Sequence, residues 1–296
     1  MMRWGAIALF VAAPLIGLVL ALVARRRRPR LAGVIAGSAV LLAAVGAYAS
    51  WIEPRWLEVT TIRVESAKVE RPIRIAVIAD LQTDEIGDHE RAALAEMMAQ
   101  RPDLILFAGD YLQEGDPVRK RRLAAELRRA LADAGVSAPL GVFAVRGDVE
   151  TRDWPELFAG LPITVLARTE TRDLGPLRLT GLDRPDSRDE ALDIPPDDRF
   201  HVIFGHAPDF ALGNVGADLL IAGHTHGGQV RLPLFGPLLT LSHVPRAWAA
   251  GVTHLDGNRT LIVSRGVGME RGDAPRLRFL CRPQLVIVDV VPAPKI

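Results

Sequence analysis

Five apolar runs in this chain each stop on an aspartate or a histidine, and that recurrence constrains the fold more than any other feature. A buried strand ordinarily ends in turn residues. Here the run 73–79 ends at Asp80, 104–108 at Gly109-Asp110, and 142–145 at Arg146-Gly147-Asp148. The run 202–204 leads to Gly205-His206, and 219–222 leads to Gly223-His224-Thr225-His226-Gly227-Gly228-Gln229. Open α/β sheets hold ligands beyond the carboxyl ends of their strands. Carboxylates and imidazoles gathered at that edge predict a divalent-metal site.

The 296 residues suffice for one large domain plus an accessory segment, and an apolar content of 49% exceeds what a soluble domain needs. The net charge of +1 hides an asymmetry: residues 1–52 carry six arginines (Arg3, Arg25 to Arg28, Arg30) and no acid. Taking those six from the 36 Lys+Arg leaves 30 against 35 Asp+Glu in the rest. A mildly acidic domain argues against nucleic acid as a partner, because phosphate-backbone binding rests on a basic surface. The single cysteine, Cys281, excludes an intramolecular disulfide and a cysteine-rich zinc site, and it reads as a small buried hydrophobe.

Residues 4–24 and 31–52 contain no charged side chain. Each run is about long enough to cross a hydrocarbon core of ~30 Å as a helix. The connector Arg25-Arg26-Arg27-Arg28-Pro29-Arg30 is short and basic, so the two runs predict a transmembrane helical hairpin. Arginine-rich loops stay cytoplasmic, which puts both termini and the domain that follows outside. Trp4, Tyr48, Trp51 and Trp56 fall where interfacial aromatics occur, and Gly33 with Gly37 offers a small-residue packing pair. A rival reading makes the second run an export signal cut after Ala47-Tyr48-Ala49. Both readings export the domain, here taken as 58–296 after a membrane segment 1–57.

Beyond the linker, strand-like and helix-like segments alternate. A helix near 89–100 gathers Ala93, Leu94, Met97 and Met98 on one face. In the next, Asp116 caps, Pro117 suits the first turn, Leu123, Leu127 and Leu131 form the stripe, and Gly135 ends it. Its Arg119-Lys120-Arg121-Arg122 run reads as a solvated face. Alternation of this kind predicts an α/β domain with parallel and antiparallel pairing. The segment 183–199, rich in Asp, Arg and Pro, reads as a polar surface excursion. The apolar segment 232–241 (LPLFGPLLTL) reads either as a core strand pair or as an apolar lip beside the site, facing membrane or acyl chains.

Asp80, Asp110, Asp148, His206, His224 and His226 form a mixed oxygen and nitrogen set that suits Mn, Fe or Zn better than Ca or Mg. In a two-metal site the ions clamp a phosphate and acidify a water, with one carboxylate bridging them. His201, His243 and His254 read as structural or surface residues.

The order Asp80-Leu81-Gln82, Gly109-Asp110, Gly147-Asp148-Val149-Glu150, His206 and Gly223-His224-Thr225-His226 resembles the calcineurin-like metallophosphoesterase superfamily over about residues 60–291. Gly227-Gly228-Gln229 and Ser264-Arg265-Gly266-Val267-Gly268 look like its branch of membrane-associated phosphodiesterases and lipid pyrophosphatases. The resemblance implies a four-layer αββα sandwich and two divalent metal ions, with one site possible as the weaker. It implies Asp110 as the bridge, Asp80, Gln82 and His226 on one ion, and Asp148, His206 and His224 on the other. Asp110, Asp148 and His206 would then act catalytically through the metal centre, with His89 and Arg265 as candidates for holding substrate.

Three positions depart from the family's pattern. Gln82 stands where it has histidine, Asp148 where it has asparagine, and Val149 where it has the histidine that helps the leaving group depart. A positioned acid contributes ~10²–10⁴-fold. Its loss favours substrates whose leaving group needs no proton, such as pyrophosphates, over alkyl phosphodiesters. The sequence therefore predicts a membrane-anchored, metal-dependent hydrolase of phosphodiester or pyrophosphate bonds on a lipid-linked or membrane-surface substrate. The alternatives are a non-catalytic descendant that binds a phospholipid headgroup or a protein, and a phosphatase of phosphoproteins or small phosphomonoesters.

Overall fold

The computed structural model describes residues 5–6, 8–272 and 274–294; Trp4 lies outside the described residues. Helices α1 (Ala13–Ala24) and α2 (Pro29–Ala47) come first, with α3 (Asp88–Ala99) and α4 (Pro117–Asp133) further along. The main strands begin with β1 (Glu58–Ser66), β2 (Ile73–Ile78), β3 (Leu104–Phe107), β4 (Val142–Ala144), β5 (Thr164–Val165) and β6 (Glu170–Asp173). They continue with β7 (Arg178–Gly181), β8 (His201–Phe204), β9 (Leu219–Ala222), β10 (Gly251–His254), β11 (Thr260–Val263) and β12 (Gln284–Pro292). One sheet runs β1-β12-β2-β3-β4-β5 and the other β10-β11-β9-β8-β7-β6. Each sheet mixes both pairings. β2, β3, β4 and β5 are parallel while β12 meets β2 antiparallel, and β7, β8, β9 and β11 are parallel between antiparallel edge strands.

Continuous apolar runs mark strands covered on both faces. Ile75, Val77, Leu104 and Leu106 belong to the core shared with Leu179, Val202, Phe204, Leu219 and Ile221 of the other sheet. The alternate residues Ala76, Ile78, Ile105 and Phe107 pack with Leu94 and Met97 of α3 and Leu123, Leu127 and Leu131 of α4. Asp116 caps α4, accepting from the Val118 and Arg119 amides at 3.0 and 2.8 Å.

The helical layer on the far face is where the fold departs from expectation. Ile203, Leu220, Ala222, Leu261 and Val263 are covered there by Phe210, Ala211 and Val215, from a short helical turn (Asp209–Leu212) and its flanking loops. Pro208, Gly213 and Gly216 interrupt the β8–β9 connection, and helices do not propagate through such residues.

The N-terminal helices pack along a seam of small residues seven apart: Pro14 and Ala21 on α1, and Ala32, Ala39 and Gly46 on α2, are their buried positions. The close-packed glycines are Gly17 and Gly46, whose added Cβ would stand 3.0 Å from Ala39 and 2.6 Å from Phe10. Gly33 and Gly37, the pair expected to pack, have open space among the described residues. By length and composition, the helical run Pro29–Arg55 can cross a membrane, and Ala8–Ala24 is a shorter apolar helix. Leu15, Ile16, Val19, Val23, Val34 and Leu41 are exposed around it.

The run ends inside the domain's own packing. The Glu53 side chain is 1% exposed and accepts the amides of Leu280 and Cys281 at 3.0 and 2.5 Å, while Ala49 O accepts the Arg278 amide at 2.9 Å. The expected boundary at 57/58 therefore falls beyond residues that hold the domain together.

Candidate metal centre

The carboxyl ends of β2, β3, β4, β8 and β9 deliver Asp80, Asp110, Asp148, His206 and His224 to one place. Ligand atoms of Asp80, Asp110 and His206 lie within 4.8 Å of one another, and so do those of Asp148, His206 and His224. Asp80, Gln82, Asp110, His224 and His226 all have left-handed backbone, with φ of 50°, 33°, 54°, 69° and 48°. Such conformations cost non-glycine residues free energy and persist where surrounding structure over-determines them. At Gly147 an added Cβ would stand 2.2 Å from Asp110 Oδ1, so only glycine lets these two loops meet.

The imidazole orientations follow from hydrogen bonding. A carbonyl only accepts, so His206 Nδ1, 2.9 Å from Ala108 O, carries the ring proton. Its Nε2 has no hydrogen-bond partner among the described residues and faces Asp110 Oδ2 at 3.4 Å and Asp148 Oδ2 at 3.6 Å. The His224 Nε2 lies 2.9 Å from Leu241 O and 3.1 Å from Arg188 Nη2, and its Nδ1 faces Asp148 Oδ2 at 3.0 Å. Two imidazole nitrogens and two carboxylates converge, an arrangement that needs a cation or protons between its members. The residues present therefore fit a divalent ion.

The titration behaviour has the same origin. Burial pushes Asp80 up to about 7, with Asp110 adding to it against the pull of His206. For His206 burial opposes the charge, yet the carboxylates of Asp110, Asp148 and Asp80 push it up to about 10. Burial also raises Asp148, but the pull of His206, His224 and Arg188 outweighs it and holds the carboxyl well below the usual range. Protons take the place a cation would fill.

Gln82 and His226 meet at 2.5 Å between Oε1 and Nε2, beside this cluster. The Gln82 amide nitrogen donates to Glu270 Oε2 at 2.8 Å, which fixes its oxygen toward the ring. Arg278, fully buried, stands 3.5 Å from His226 Nδ1 and donates to the carbonyls of Arg265, Gly266, Gly268 and Cys281. Burial first, and then the Arg278 charge, depress His226 well below its ordinary value. A fixed guanidinium at this end opposes a further cation.

Several participants carry no signature in the sequence. The segment 183–199 is more than a surface excursion, because Arg184 Nε lies 2.6 Å from Asp148 Oδ1 and Arg188 pairs with Asp148 Oδ2. The additional negative charge of Asp148 is thereby neutralised. Glu150 accepts the amides of Asp110, Tyr111 and Gly147 at 3.0, 2.7 and 2.7 Å, stapling two ligand loops, and burial beside Asp110 pushes it up to about 7. Two expected substrate contacts point elsewhere. His89 Nε2 bonds to Val267 O at 3.0 Å and lines a separate cavity with Trp51 and Arg55, while Arg265 pairs with Glu58 at 2.9 Å.

A cavity of about 430 Å³ opens onto the centre. Asp110, Asp148, Arg188, His224 and His226 line its polar end; Val149, Val230, Leu238, Leu239 and Leu241 line the rest. The segment 232–241 is therefore a lip. Arg231–Leu232 pairs with Gly236–Pro237 in a small hairpin whose leucines are exposed, outside the core that was its other reading.

Two sheets face to face, with acids and imidazoles at their joined carboxyl edge, define a metallophosphoesterase. Residues 73–228 match the calcineurin-like phosphoesterase family, more than half of the chain, and the protein belongs to that family of divalent-metal enzymes. The chain is 26% identical over 276 residues to the uncharacterized metallophosphoesterase YkuE of Bacillus subtilis (strain 168), covering 86% of this chain and 93% of that one. It is 29% identical over 274 residues to the phosphodiesterase YaeI of Escherichia coli (strain K12), covering 82% and 92%. Among solved structures, the phosphoesterase Yfce from E. coli aligns over 68% of this chain and 83% of that chain, with 17% identity and a TM-score of 0.35.

Proposed function

We propose that this metallophosphoesterase is anchored in the cell membrane by its N-terminal hairpin, with its catalytic domain on the extracytoplasmic side. It hydrolyses a phosphodiester or pyrophosphate bond of a lipid-linked or membrane-surface substrate. The observation that carries the reading is the pair of ring nitrogens, His206 Nε2 and His224 Nδ1, turned onto carboxylate oxygens at the mouth of an apolar-walled cavity. Asp110, Asp148, His206 and His224 would hold one divalent ion; Asp80, Gln82, Asp110 and His226 would hold a weaker second, since an amide replaces an imidazole beside a buried guanidinium. Mn, Fe or Zn bound there supplies Lewis-acid polarisation of the phosphoryl group and an acidified water.

The chain's own residues set the selectivity. Val149 offers no proton to a departing oxygen. Arg188, partly exposed on the cavity wall, offers a guanidinium that suits a departing phosphate. A pyrophosphate leaves as a stabilised anion, so it needs no acid, whereas an alkoxide does. The leucines of the wall suit the apolar portion of a lipid-linked ester, and the acidic remainder of the domain suits no nucleic acid. The relative named a phosphodiesterase is consistent with this class of bond.

The test is metal analysis of the full chain in lipid nanodiscs, paired with hydrolysis of an aryl phosphodiester, an alkyl phosphodiester and a nucleotide-linked lipid pyrophosphate. Bound transition metal is expected, with the alkyl diester turned over about 10²-fold more slowly than the other two. Equal turnover of the alkyl diester overturns the selectivity argument, and bound metal without turnover of any ester overturns the catalytic one.

A further inference from the structure

The lip has more apolar surface than the cavity uses. Leu238, Leu239 and Leu241 line the cavity, but Leu232, Leu234 and Phe235 at the hairpin tip do not. Leu234 is fully exposed and Phe235 is 58% exposed. Exposed apolar side chains held together at the tip of an ordered hairpin mark a contact surface.

The position of that tip identifies what it meets. The base of the hairpin is tied by backbone bonds to Phe279, whose amide donates to Gln229 O at 3.0 Å and whose carbonyl accepts from Arg231 at 2.9 Å. The flanking amides of Arg278, Leu280 and Cys281 bond in turn to Ala49 O and the Glu53 carboxylate, where the N-terminal helical run ends. The segment around Phe279 thus joins the base of the lip to the end of the N-terminal helical run. Trp51, Ile52 and Trp56 are exposed at that end, where interfacial aromatics sit. The hairpin's flank is basic: the Arg246 guanidinium stacks 4.8 Å above the Phe235 ring, and Arg231 lies at the base. Cations flanking apolar side chains match the anionic headgroup layer above acyl chains.

We propose that the tip formed by Leu232, Leu234 and Phe235 inserts into the same bilayer face from which Pro29–Arg55 emerges. This second contact holds the cavity mouth against the membrane surface. The inference rests on reading Pro29–Arg55 as membrane-crossing. The occupant of the tip surface is the bilayer, which two contacts fix in orientation where one helical hairpin would leave the domain free to tilt.

The test uses the full chain in vesicles of phosphatidylcholine and phosphatidylglycerol. An environment-sensitive dye is placed on Leu234→Cys, or on Ser137→Cys at an exposed turn of the domain as the control; the native Cys281 is buried. A nitroxide near the head of the lipid acyl chain is expected to cut emission at 234 about twofold while leaving 137 unchanged, with aqueous iodide showing the reverse. Iodide quenching at 234 equal to that at 137, in a chain that resists alkaline carbonate extraction, overturns the proposal and leaves the anchor reading standing. Extraction by carbonate overturns the anchor reading and this proposal with it. Energy transfer between dyes at 234 on two chains, without lipid quenching, overturns it in favour of a second copy. So does a response only to dispersed single lipids, which assigns the tip to an acyl chain. Hydrolysis of a soluble aryl phosphodiester is expected to be unchanged in Leu234→Cys.

Discussion

Asp110 illustrates how much one side chain is asked to do. Its Oδ1 accepts the amides of Asp148 and Val149 at 2.5 and 3.0 Å, leaving Oδ2 beside His206. Asp110→Ala is expected to lower turnover of an aryl phosphodiester by about 10²-fold or more and to lower bound metal in the same sample. Gln82→His restores an imidazole where an amide oxygen stands, and the variant should keep its metal against about tenfold more chelator during dialysis. Arg188→Ala, with Arg184 still paired to Asp148, should slow pyrophosphate hydrolysis about tenfold while sparing an activated aryl diester. Equal losses on both substrates would reduce Arg188 to a charge partner of Asp148. These residues were unequally legible. Asp80, Asp110, His206 and His224 announce themselves because each ends an apolar run, directly or after a single glycine. Arg188 does not, because its approach to Asp148 depends on the path of a loop forty residues away in the chain.

At the level of elements, the best-signposted features were helix α4 and the strands. Asp116 caps as its position implied, and Asp116→Ala should lower unfolding free energy by about 1 kcal/mol in a denaturant titration. His201 on β8 is held by Thr180 Oγ1 at 2.8 Å, and burial depresses it below its ordinary 6.5. Below pH 6.5 the unfolded imidazole takes a proton that the folded one refuses, so the unfolded chain binds more protons there. Stability present above that pH is therefore lost as pH falls. His201→Gln should flatten the acid limb relative to the parent when denaturation midpoints are compared at about pH 7.5 and about 5.5. What composition misjudged were contacts between elements. Gly33 and Gly37 share a spacing with many packing pairs, but the face turned to α1 carries Ala32, Ala39 and Gly46. The outer helical layer failed to appear because Pro208, Gly213 and Gly216 break the connection that would have formed it.

For the whole molecule, the division between the apolar helices and the domain is less clean than the hydropathy implies. Ala49 at the end of the apolar run and Glu53 just after it are buried with Arg278 and Cys281. The same short stretch touches the metal centre from behind, since Cys281 Sγ donates to His226 O at 3.2 Å and Arg278 stands beside the ring. A soluble version begun at residue 58 would strip the acceptors from the amides of Arg278, Leu280 and Cys281 and slacken the wall at the back of His226. Such a preparation would understate the native enzyme, showing poor metal retention in a fold that keeps all seven candidate ligands. Measured activity from it would describe the damage of trimming rather than the protein.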